Sequence, residues 1–80
     1  MSVRLDTAGH LTADSADELH AFAASVGLRR EWFQSHRLWH YDIMTWSKRR
    51  RALRAGAVSV TPRQSVLLHP AHEAQKEGAK

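Results

Sequence analysis

"HRLWHYD", residues 36–42, holds two histidines, a carboxylate and two aromatic rings in seven positions. Read with a period of two and carried one residue further, Trp39, Tyr41 and Ile43 point to one side and Leu38, His40 and Asp42 to the other. Aromatic and β-branched content favours a strand. Residues 39–43 are therefore expected to lie extended, with the rings inward and His40 and Asp42 side by side, their Cα atoms about 6.6 Å apart. His36 and His40 are neighbours only on a helix, at i,i+4 spacing. An extended run discounts that pair and keeps His40 with Asp42.

On the N-terminal side, "SVRL" is a weak strand, "DTAG" turns the chain, and "HLTA" extends again, with Leu11 and Ala13 opposite His10 and Thr12. "DSADELHAFAASVG" is a helix capped by Asp14 or Ser15, with acids in its first turn, an apolar stripe of Leu19, Phe22, Ala23 and Val26, and a stop at Gly27. His20 sits at the border of that stripe. Trp32 and Phe33 are large enough to seal the core from the side. On the C-terminal side, "TWSKRRRALRAG" is a second helix in which Trp46, Leu53 and Ala57 align. "AVSV" is a strand, and Thr61 and Pro62 open a third helix.

Strand and helix alternate, which implies a small α/β domain: a short, mostly parallel sheet of three strands with right-handed crossovers and two to three helices. "SVRL" adds a fourth strand at the edge. Residues 1–69 form the single domain and residues 70–80 a flexible tail.

The chain has 80 residues, so it hides only roughly 60–65% of its unfolded surface and its core is small. It contains no cysteine, which removes disulfides and thiolate metal sites. No apolar run reaches the roughly 20 residues of a membrane helix, and "MSVRLDTAGH" lacks the apolar middle of a secretion signal. A cytoplasmic protein is the expectation. The net charge of +4 is unevenly placed: residues 29–54 carry +6 and the rest −2. An anionic partner would land on the middle third.

"HLTADSADELHAFAASVGL", "WFQ", "HYD" and "SKRRRALRAGAVSVT" together resemble a family of small bacterial and phage proteins catalogued as domain of unknown function 4031. The resemblance covers roughly residues 10–66. It implies a recognised fold unit of actinobacterial or phage origin without an assigned activity. Matched residue by residue, it points to His10, His20, His40 and Asp42 as the polar positions of interest.

Four uses of these residues are open. The basic centre suggests binding of nucleic-acid phosphate or another anion through Arg29, Arg30, Lys48, Arg49, Arg50, Arg51 and Arg54, with Trp32, Trp39 and Trp46 to stack on bases. This is the leading expectation. The alternative is a divalent metal, zinc or manganese, held by His10, His20, His40 and Asp42, with a bound water activated for hydrolysis. A metal-free His40–Asp42 acid–base pair is the third. The fourth is an accessory or phage protein that acts by contact with a second copy or with a host protein.

Overall fold

The computed structural model describes residues 2–72. The chain reverses at residues 6–9. Asp6 Oδ1 accepts the backbone N–H groups of Ala8 and His10, both at 2.9 Å, and the Gly9 N–H donates to the Asp6 carbonyl at 3.0 Å. A short carboxylate satisfying nearby backbone donors stabilises such a turn. Gly9 has φ +94°, a conformation that a Cβ would strain. The turn joins β1 (Val3–Asp6) and β2 (His10–Ala13) as antiparallel neighbours.

There follow α1 (Ala16–Ser25), a 3-10 turn (Arg30–Trp32), β3 (Phe33–Gln34), β4 (His40–Asp42), α2 (Trp46–Arg54), β5 (Val58–Val60) and α3 (Pro62–Leu68). The strands make one sheet in the order β3-β4-β2-β1-β5. Three of its four pairings are antiparallel, and β1 with β5 is the parallel one. This corrects the expectation of a three-stranded, mostly parallel sheet. Strand–helix alternation treats every helix as a crossover between parallel neighbours. Here the turn at residues 6–9 and the short link between β3 and β4 reverse the chain instead. "SVRL", expected at the edge, lies inside the sheet between β2 and β5.

One face carries the apolar core. Val3, Leu5, Leu11, Ala13, Tyr41 and Ile43 meet Leu19, Ala23 and Val26 of the α1 region and Ala52 of α2. Ser15 caps α1 by accepting the Glu18 N–H at 3.1 Å. Thr45 does the same for α2 through the Lys48 N–H at 3.3 Å. Helix α2 is rotated from its expected setting. It buries Ala52, while Leu53 is exposed and Trp46 is 74% exposed. The small Ala52 lets the helix approach β1 closely, and Arg49 uses that approach: its Nε donates to the Ile43 carbonyl at 2.8 Å and its Nη2 to the Ala8 carbonyl at 3.3 Å. Trp32, at 38% exposure, seals less of the core than expected; Phe33 packs against it.

The other face is polar and is covered by α3. Thr61 and Gln64 form a reciprocal capping box at its start. Arg4, nearly buried, donates from Nη1 to Asp14 at 2.9 Å and from Nη2 to the Leu68 carbonyl at 3.3 Å. His69 Nε2 donates to the Trp39 carbonyl at 2.8 Å. Two polar bonds thus hold the end of α3 to the sheet. Residues 70–72, the start of the expected tail, are helical; the rest of that tail lies outside the described residues. Among the described residues no helix is long and apolar enough to cross a membrane.

Candidate metal centre

Strand alternation places Asp6, His10, His40 and Asp42 on the polar face, and the sheet register brings the last three together. His10 pairs with Asp42 across β2 and β4, and His40 precedes Asp42 by two positions on the same side. His40 Nε2 lies 3.2 Å from Asp42 Oδ1, and His10 Nε2 lies 3.7 Å from the same oxygen. The imidazole rings meet edge to face with centroids 5.0 Å apart. One ligand atom from each of His10, His40 and Asp42 falls within a 4.8 Å cluster.

The opposite ring nitrogens are already committed. His10 Nδ1 lies 2.9 Å from Asp6 Oδ2, and the Asp6 side chain is 2% exposed. His40 Nδ1 lies 2.9 Å from the Leu38 carbonyl. A carbonyl oxygen only accepts, so His40 Nδ1 carries the hydrogen. The buried Asp6 carboxylate sets the same tautomer in His10. With both rings neutral, the Nε2 lone pairs face Asp42 Oδ1, another acceptor, and either a proton on a ring or a metal ion between the three atoms makes the contacts favourable. An imidazole fixed by a carboxylate or carbonyl on its far nitrogen is the usual support of a metal-bound histidine. With ligand bonds of about 2.0–2.1 Å, tetrahedral ligand atoms stand about 3.3 Å apart. The two separations to Asp42, 3.2 and 3.7 Å, are close to that, and all three ligand atoms lie within 4.8 Å, so the His10 and His40 rings would close in slightly on an ion.

His20, expected with this group, is on the other side of the sheet. Its Nδ1 lies 2.8 Å from the Tyr41 hydroxyl and its ring stands edge-on to Phe33. Alternation along β4 sends Tyr41 into the core, away from His40 and Asp42. Burial lowers the His20 pKa below the usual 6.5, the Arg30 charge lowers it further, and Asp17 pulls it back. Burial raises Tyr41 above 10.0, with Arg30 opposing. His36 is closer to His40 than an extended strand allows: the rings stack with centroids 6.3 Å apart. The link before β4 folds back, a conformation outside the choice between helix and strand.

The basic residues divide. Arg29 pairs with Glu31 at 2.7 Å. Arg30 lies over the Phe33 ring and Lys48 over Trp32. Arg49 is tied to two carbonyls and lies over Trp46. Arg50, Arg51 and Arg54 are exposed on α2. Trp39 stands edge-on to His69, so the three tryptophans do not share one surface.

Two hollows flank the triad. A groove of about 190 Å³ runs under α3, with His10 and His40 in its wall and Leu38, Pro62 and Val66 along it. A cleft of about 420 Å³ lies between the 3-10 turn and α2, and Asp42, Trp32 and Lys48 line it. The His10, His40 and Asp42 cluster stands between them.

Asp6 and His69 are the residues that sequence reasoning missed. Asp6 was legible as the aspartate that opens a turn and shares a face with His10. His69 had no local signal. It is 3% exposed, and its Nδ1 accepts the Ala71 N–H at 3.0 Å. Burial lowers its pKa below 6.5, the Trp39 bond raises it, and the Arg4 and His40 charges lower it.

Fold and site together define a small mixed α/β protein with a two-histidine, one-carboxylate cluster on the polar face of its sheet. The family model described as "Protein of unknown function (DUF4031)" matches residues 2–72, and the chain belongs to that family. No curated protein and no solved structure matches the chain.

Proposed function

We propose that the chain is a divalent-metal protein of hydrolytic type, with His10, His40 and Asp42 as ligands. The observation that carries this is the convergence of two Nε2 atoms and one carboxylate oxygen whose far-side nitrogens are held by Asp6 and the Leu38 carbonyl. Two imidazoles and one carboxylate suit zinc, and manganese or iron less specifically. Three protein ligands would leave a position for water, and the chemistry such an ion would supply there is to lower the pKa of that water for hydrolysis.

The test is zinc titration, by calorimetry, of protein prepared without a histidine tag and stripped of metal. One equivalent binds, and binding is lost in His10→Ala and in His40→Ala. At a hundred times Kd the ion adds about 2.7 kcal/mol, a rise in Tm of about 10–20 °C for a domain of this size. A thermal midpoint that neither zinc nor manganese moves defeats the reading.

A further inference from the structure

We propose that the cleft beside Trp32 binds single-stranded nucleic acid and presents a phosphate to the metal centre. The second half of this statement rests on the metal reading; the first does not.

Asp42 belongs to both places. It is a member of the triad and lines the cleft, so a molecule seated there lies against a ligand of the ion. At about 420 Å³ the cleft is within the roughly 300–1,000 Å³ usual for ligand sites, and the 190 Å³ groove under α3 is below it. The body of a ligand therefore fits the Trp32 side.

The lining names the chemistry. Trp32 offers a partly exposed indole, and Lys48 Nζ lies over that ring, 5.6 Å from its centroid. A planar base stacks on an indole whatever its identity, and here it would take the place of the Lys48 ammonium, which swings to the phosphate. Gln34 and Thr45 add neutral hydrogen-bonding groups. Glu31 also lines the cleft, but Arg29 at 2.7 Å offsets its charge. From Lys48 the exposed Arg51 and Arg54 follow at three-residue intervals on α2, neighbours on one face. At 1.5 Å per residue they form a basic row about 9 Å long leading away from the cleft. An aromatic platform and a basic track beside Asp42 suit a phosphodiester strand. An acidic peptide would use the track and leave the indole idle.

The experiment is fluorescence anisotropy of a labelled oligothymidylate with the whole chain, first free of metal and then with zinc. Without metal the oligonucleotide binds. With about three phosphates engaged, its affinity falls about 20-fold between roughly 50 and 200 mM salt. Trp32→Ala weakens binding about tenfold, Lys48→Glu weakens it at least as much, and Trp46→Ala, outside the cleft, changes it less than about twofold. Zinc strengthens binding, and His40→Ala removes that gain alone. Oligoglutamate competing as well as unlabelled oligothymidylate, or Trp32→Ala and Lys48→Glu binding like the parent, overturns the proposal. Metal-independent binding sensitive to Trp32, with no effect of zinc, keeps the strand-binding cleft and removes the presentation of phosphate to the ion; whether the ion binds at all is read separately from the zinc titration.

Discussion

Arg49 Nε donates to the Ile43 carbonyl at 2.8 Å, across the position where Gly9 passes beneath the guanidinium. A Cβ built on Gly9 would collide with that guanidinium and stand 2.7 Å from the Ile43 carbonyl. The Gly9 carbonyl in turn accepts the Ile43 N–H at 2.8 Å. The turn, the end of β4 and α2 are thus locked at one point. Gly9→Ala is expected to lose about 1–3 kcal/mol from the positive φ alone, with the collision added. Arg49→Met, which leaves two carbonyls without their donor, loses about 1–3 kcal/mol. Urea denaturation measures both, and a Gly9→Ala protein as stable as the parent refutes the lock.

Asp6 tests whether His10 is oriented for a ligand role. Asp6→Asn keeps an oxygen for the turn N–H groups but weakens the hold on His10 Nδ1. Zinc affinity is expected to fall about 10–100-fold, with far-ultraviolet circular dichroism unchanged. Unaltered zinc affinity would separate Asp6 from the centre.

His20 serves the core, so His20→Ala leaves zinc affinity within about twofold. It strands the Tyr41 hydroxyl, a buried donor, at a loss of about 1–3 kcal/mol. Adding Tyr41→Phe removes the stranded group, and the double variant is expected to be more stable than His20→Ala alone. A large drop in zinc affinity in His20→Ala contradicts this placement.

Acid should loosen the cover of the polar face. His69 is held neutral, donating from Nε2 and accepting at Nδ1, and its folded pKa lies below 6.5. The unfolded chain therefore binds the proton more readily. The His69 contribution to stability is complete above about pH 6.5 and is lost as pH falls from there through the folded pKa. Unfolding free energies measured from pH 7.5 to 5 should decline less steeply in His69→Gln than in the parent. Equal slopes would show that His69 does not couple to folding.

The parts of this architecture written in local pattern were readable. The alternation over residues 39–43 placed Tyr41 and Ile43 opposite His40 and Asp42, the pair Asp14 and Ser15 bracketed the start of α1, and Thr61 marked that of α3. Strand direction was not readable from alternation, because it depends on whether a link reverses the chain, and a four-residue turn outweighs the α/β rhythm around it. The side taken by His20 depends on which sheet face receives α1, a tertiary choice absent from the helix itself. The rotation of α2 was hidden because Arg49 and Ala52 act together: one reaches a carbonyl and the other yields space, whereas hydrophobicity alone favours Leu53.

The pairing of β1 with β5 has a consequence for synthesis. Residues 6, 10, 40 and 42 all emerge from the ribosome before residue 58, and the antiparallel strands that carry the triad are joined without β5. The parallel partner and the helix over the polar face follow these strands, and they must return to β1, a long-range step in a growing polypeptide. The nascent protein is thus expected to own its cluster of imidazole and carboxylate while that side is still open to solvent or to any carrier of metal, and to roof it only once residues 58–69 have emerged.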